Sequence, residues 1–153
     1  MSRIWIEKAD DSIIRYMKRV FPLVSRIALF VVFFWFGVLK VLEVSPASPL
    51  VGELLERALP FLSFDSFIVW FGIFECLIGL TFLFKGLERF SIALLVPHML
   101  MTFGPLVLLP EIAWSQSFVP TLEGQYIIKN LAIIALAMGI AAHLRPLDAD
   151  KSK

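Results

Sequence analysis

The sequence predicts an all-α integral membrane protein, a four-transmembrane-helix bundle with an N-terminal amphipathic interfacial helix and a short outer-loop helix. Three observations carry that prediction. Apolar residues make up 59% of the 153 residues and the mean hydropathy is +0.84, well above the roughly 45–50% apolar content of a soluble domain. They gather into four runs near residues 22–42, 66–84, 90–109 and 125–143, each close to the roughly 20 residues that cross a hydrocarbon core about 30 Å thick. The basic residues, finally, are segregated by side. Arg3, Lys8, Arg15, Lys18, Arg19, Arg26, Lys85, Arg89, Arg145, Lys151 and Lys153 flank one side of this scheme, and only Arg57 flanks the other.

The positive-inside rule then puts both termini in the cytoplasm and turns the two longer loops outward. Those loops hold Glu43, Glu53, Glu56, Asp65, Glu111 and Glu123. A net charge of +1 argues against a nucleic-acid partner, which would want a basic face. The lipid bilayer is the first partner implied.

Taken in order, residues 1–21 are too polar to span. Ile6, Ile13, Met17 and Val20 recur near helical spacing while Lys8, Arg15, Lys18 and Arg19 fall mainly elsewhere on the wheel, the pattern of a basic helix lying on the membrane surface. A cleavable signal peptide competes with that reading, but no small-x-small site follows the apolar run. The four-helix membrane domain is expected over residues 22–153.

The first span, 22–42, ends in Trp35-Phe36-Gly37-Val38-Leu39-Lys40 and then Glu43. Pro46, Pro49 and Pro60 bracket a short amphipathic stretch at 50–59, expected as an interfacial helix across the outer mouth or as an ordinary packed loop helix. The second span carries one charge, Glu75, which shares a face with Gly72 and Gly79 at i, i+3 and i+7, so a neighbouring helix can come close to it. Cys76 is the single cysteine; it forms no internal disulfide and reads as a small buried residue.

In the third span His98 follows Pro97, shares a face with Met101, Thr102 and Pro105, and precedes a break at Gly104-Pro105. Prolines there free carbonyls that other groups must satisfy. Residues 110–124 form a second outer connection, with Trp114 as an interface anchor. The fourth span carries Lys129 and Asn130. A lysine near the centre of a span costs about 2.5–3.5 kcal/mol on insertion scales, so one kept there is expected to face a partner or water.

Counted at 1.5 Å per residue, Lys40 and Lys129 lie roughly 5–8 Å below the outer boundary, and Glu75 and His98 roughly 13–17 Å down. Helical side chains lean toward the helix N-terminus. Lys40 therefore leans inward and Glu75 outward, so the two can meet, while Lys129 leans toward Glu43, Glu111 or Glu123 at the outer mouth. The expected buried polar cluster, or ligand-binding set, is Lys40, Glu75, His98, Lys129 and Asn130.

Six segments together resemble the DoxX-like inner-membrane proteins, closest to the YkgB-like branch associated with resistance to reactive chlorine. They are Trp35-Phe36-Gly37-Val38-Leu39-Lys40; Ser48-Pro49-Leu50; Gly72-Ile73-Phe74-Glu75 with Ile78-Gly79-Leu80; Gly104-Pro105-Leu106-Val107; Pro110-Glu111-Ile112-Ala113-Trp114; and Gly124-Gln125-Tyr126-Ile127-Ile128-Lys129-Asn130. The resemblance implies a bacterial inner-membrane four-helix bundle tied to membrane redox or oxidant defence. Asn130 stands where the family has Asp, which takes a carboxylate away from that position.

Three functions follow as expectations. One is a redox-associated protein binding a quinone or similar apolar molecule between its helices, with Lys40, Glu75, His98 and Lys129 on the polar head. Another is a non-catalytic subunit or scaffold of a membrane complex, with a membrane protein partner or a second copy, whose buried charges hold the helices in register. A carrier for a small solute or proton is the third, and would need to oligomerise. His98 and His143 lie too far apart in depth to hold one haem, and no P-loop, dinucleotide fingerprint, zinc spacing or nucleophile elbow appears. No cofactor is evident from the sequence, quinone being the candidate that the redox reading admits, and no metal is expected.

Overall fold

The computed structural model describes residues 2–144, with side chains from residue 5 onward. The Arg3 side chain and the basic tail at Arg145, Lys151 and Lys153 lie outside the described residues. The fold is an all-α bundle of four membrane-spanning helices, and the helical stretches that each hold an apolar segment long enough to cross are Trp5–Val41, Phe64–Leu83, Glu88–Leu108 and Leu122–Ala141.

Helix α1 (Ser2–Val41) is continuous, with Pro22 inside it. Residues 1–21 and the first span were expected as two segments. Chain connectivity joins them into one helix of 40 residues, about 60 Å at 1.5 Å per residue and so about twice the hydrocarbon thickness. Proline removes only one intrahelical hydrogen bond, that to the Lys18 carbonyl, and a long helix tolerates this. The side chains of residues 5–19 are all exposed.

At the far end of α1 the chain turns at Glu43, whose φ is 58°, into α2 (Ser48–Ala58), opened by Pro49 near its first turn and anchored by buried Leu55. Helix α3 (Phe64–Leu83) then runs back along α1. These two make by far the most extensive helix contact in the molecule. The reason is glycine. A methyl group at Gly37 would stand 2.6 Å from the Gly72 carbonyl oxygen, one at Gly72 would stand 2.7 Å from the Gly37 carbonyl oxygen, and one at Gly79 would stand 2.8 Å from the Phe34 nitrogen. Without Cβ atoms the two backbones touch, the close packing that membranes reward in place of hydrophobic burial.

Helix α4 (Glu88–Phe103) is followed by two single turns, α5 (Pro105–Leu108) and α6 (Pro110–Ala113). Each proline leaves the carbonyl four residues earlier without its helical donor. For Pro105 that is Met101, whose oxygen accepts from the Gly104 N–H at 3.1 Å. For Pro110 it is Leu106, whose oxygen accepts from the Trp114 indole N–H at 3.0 Å. Trp114 is thus a stitch across the broken helix as well as an aromatic near the boundary. Trp114→Phe keeps an aromatic six-membered ring and removes the pyrrole ring with its donor; the expected cost of the lost hydrogen bond is about 1 kcal/mol, read as a shifted unfolding midpoint in detergent.

Instead of a plain loop, Trp114–Gln116 (β1) and Val119–Pro120 (β2) form a minimal antiparallel ribbon. Thr121 closes it onto helix α7 (Leu122–Ala141): its N–H donates to the Ala113 oxygen at 3.0 Å, its hydroxyl donates to the Ile112 oxygen at 2.6 Å and accepts from the Gly124 N–H at 3.1 Å. Short α2, α5, α6 and the ribbon therefore cap one end of the bundle.

The core lies between the spans, where Leu29, Phe33, Ile78, Phe82, Leu95, Met99, Ala137 and Ile140 pack together. Outward, Trp35, Trp70, Leu100 and Met138 are at least 65% exposed, as an apolar belt facing lipid requires.

Candidate functional site

Three of the five expected cluster residues converge. Lys40, in the last turn of α1, donates to Glu75 Oε2 on α3 at 2.6 Å, and Glu75 Oε1 meets His98 Nε2 of α4 at 2.9 Å. All three are about 5% exposed or less. The glycine contact sets this up: Gly37 lies three residues before Lys40 and Gly72 three before Glu75, so the touching backbones hold the two charged side chains within reach.

An ionised Glu75 is an acceptor only, so His98 donates from Nε2. Its Nδ1 faces the Thr102 hydroxyl at 3.3 Å, and the His98 carbonyl oxygen, 2.9 Å from that hydroxyl, is the alternative acceptor for its single proton. Thr102 can serve either ring state, giving its proton to a bare Nδ1 or accepting from a protonated one. With a neutral imidazole the triad carries no net charge.

Phenylalanines enclose the group. Phe71 stacks on His98 with ring centroids 5.3 Å apart at 4°, Phe33 meets it edge-on at 5.1 Å, and Phe74 lies 6.2 Å away. The Lys40 ammonium also sits 5.5 Å from the Phe71 centroid, a cation–π contact. Phe71 was missed by sequence reasoning although it precedes Glu75 by one helical turn. Cys76 packs at the α1–α3 contact, its Sγ 3.6 Å from the Phe34 oxygen.

Lys129 and Asn130 do not join the triad. Lys129 is exposed, its ammonium 4.9 Å from the Tyr126 ring centroid, and Asn130 Nδ2 donates to the Tyr126 oxygen at 3.3 Å. Of the acids expected at the mouth, Glu111 pairs with Arg57 at 2.7 Å, joining α6 to α2, while Glu43 and Glu123 are exposed. No ion pair links Lys129 to any of them among the described residues.

A second, part-buried ion pair escaped the sequence reading. Arg26 of α1 donates to Glu88 Oε1 at the start of α4, and Glu88 Oε2 accepts from the Gly86 N–H at 2.8 Å. Arg26 counts in the sequence only as one of the basic residues on its side of the bundle. The depth it shares with Glu88, at the same end of two spans, was the signal available. His143 Nδ1 donates to the Gly139 oxygen at 2.7 Å, beside Phe21.

Two cavities of about 310 Å³ lie away from the triad, one at the ribbon against Trp114 and Phe118, the other an apolar groove between α4 and α7. Comparison of the chain with family models, with curated proteins and with solved structures finds no match.

Proposed function

We propose that this chain is a multi-pass protein of the bacterial inner membrane with cytoplasmic termini, associated with redox or oxidant-defence processes, whose Lys40–Glu75–His98 triad holds the polar head of an apolar molecule such as a quinone. The observation that carries the binding site is the Lys40 ammonium. It has three N–H donors, gives one to Glu75, and makes no other hydrogen bond among the described residues while only 4% exposed. A carbonyl oxygen arriving between the helices would find two unused donors of a buried cation, with Phe71 beside it for ring contact. The likeness of the six segments to DoxX-like proteins supports the redox association. The chain's part would be to bind and orient that molecule.

A scaffold role in a membrane complex is favoured by a different observation. Both His98 nitrogens are engaged and its ring is enclosed by three phenylalanines, so the triad also serves as a cross-link of α1, α3 and α4.

Mass spectrometry of small molecules extracted from protein purified in mild detergent separates the two. The expected result is a quinone enriched in the wild type and lost from Glu75→Gln, with the variant still folded by circular dichroism. An empty wild-type bundle that retains a second protein would replace the ligand reading with the scaffold one.

A further inference from the structure

Helix α7 turns Lys129 away from the bundle, on a face shared with exposed Leu122, Gln125 and Tyr126. At about 100° per residue, Glu123, six positions earlier, lies about 120° around the helix, and Glu111 is engaged by Arg57. Counted from Leu122, Lys129 is about 10 Å into α7. Its side chain runs back toward the helix start, as helical side chains do, and rests its ammonium over the Tyr126 ring. A lysine with lipid around its stem has to deliver its charge to the polar boundary. Tyrosine is a residue enriched at that boundary.

We propose that Lys129 and Tyr126 form a binding site for the phosphate of a phospholipid in the leaflet at the capped end of the bundle. The ammonium supplies a charge-assisted hydrogen bond to a phosphate oxygen, the Tyr126 hydroxyl is a further donor, and Leu122 lies on the same face for the acyl chains. Charge complementarity selects this occupant. Two copies paired face to face here would set ammonium against ammonium, a like-charge contact that disfavours self-association. The site is separate from the triad and stands whether or not the triad binds a ligand.

Native mass spectrometry of the purified protein in mild detergent, titrated with dioleoyl phosphatidylglycerol, reads the site. Basic residues at the opposite end are present in every variant, so the difference between variants isolates Lys129. Lys129→Met is expected to weaken the first lipid bound about fivefold and Lys129→Arg to preserve it, with millimolar inorganic phosphate displacing nothing. Equal affinity in wild type and Lys129→Met would overturn the proposal. Displacement by inorganic phosphate would assign the site to a free anion instead, and a wild-type dimer that Lys129→Met dissociates would assign the face to a second copy. Because Lys129 is exposed, the variant is expected to fold, which its circular dichroism checks.

Discussion

Glu75→Ala lowers the unfolding free energy of the bundle in detergent by about 3–5 kcal/mol, because it strands the Lys40 ammonium in a buried site without its counter-charge. Lys40 is 4% exposed and donates to Glu75 at 2.6 Å, so little water is at hand to replace the carboxylate. The double variant Lys40→Met with Glu75→Leu recovers most of that loss, since removing both charges removes the uncompensated one. Glu75→Gln falls between. Its amide oxygen still accepts from Lys40 and its NH₂ can donate to His98 Nε2, provided the ring moves its proton to Nδ1, where the Thr102 oxygen accepts it. Wild type, Lys40→Met, Glu75→Leu and the double variant form a double-mutant cycle, read by chemical unfolding. Additive losses for Lys40 and Glu75 would remove the pair from the account.

Gly72→Ala is the second large effect, about 1–3 kcal/mol from overpacking. The new methyl would stand 2.7 Å from the Gly37 carbonyl oxygen, 2.9 Å from Lys40 Cβ and 3.0 Å from Val41 Cγ2, and all three belong to α1, the helix that carries the triad lysine. Helices α1 and α3 must separate, so the variant is expected to lose Lys40–Glu75 coupling as well as stability. Gly52→Ala is the control. A methyl there meets only the Phe64 ring, at 3.5 Å, and in α2 alanine is the better helix former. Equal stability of Gly72→Ala and Gly52→Ala would show that the α1–α3 contact is looser than the structure makes it.

The elements legible in the sequence were those set by local composition. Four apolar runs of membrane-crossing length became four helices, and the prolines at 49, 105 and 110 open short helices. The relative level of residues on facing helices was legible too, because it follows from counting along a helix. That count, with the lean of side chains toward the N-terminus, brings Lys40 to Glu75 from the sequence alone. Applied to the other end it would have found Arg26 and Glu88. The carbonyls freed by Pro105 and Pro110 were also foreseeable, but not that Gly104 and Trp114 would take them, since the donor is chosen by how the chain folds back.

What sequence alone determined, then, is which stretches form the long apolar helices, in what order, and that Lys40 and Glu75 lie level along the bundle. Only the tertiary structure decided the rotation of each helix about its axis, and that separates Lys129 from the triad. Its depth suited the polar cluster. Its azimuth does not, because α7 is pinned by Thr121 to Ile112 and Ala113 and by Gly124 packed against Ala113, where any Cβ would run into the carbonyl oxygen. Those contacts turn Gly124 and Ile127 inward and leave Tyr126 and Lys129 facing out. Hydropathy is a property of position along the chain, whereas the facing of a helix is a property of its neighbours, and a span apolar on every side carries little amphipathic signal from which to read it.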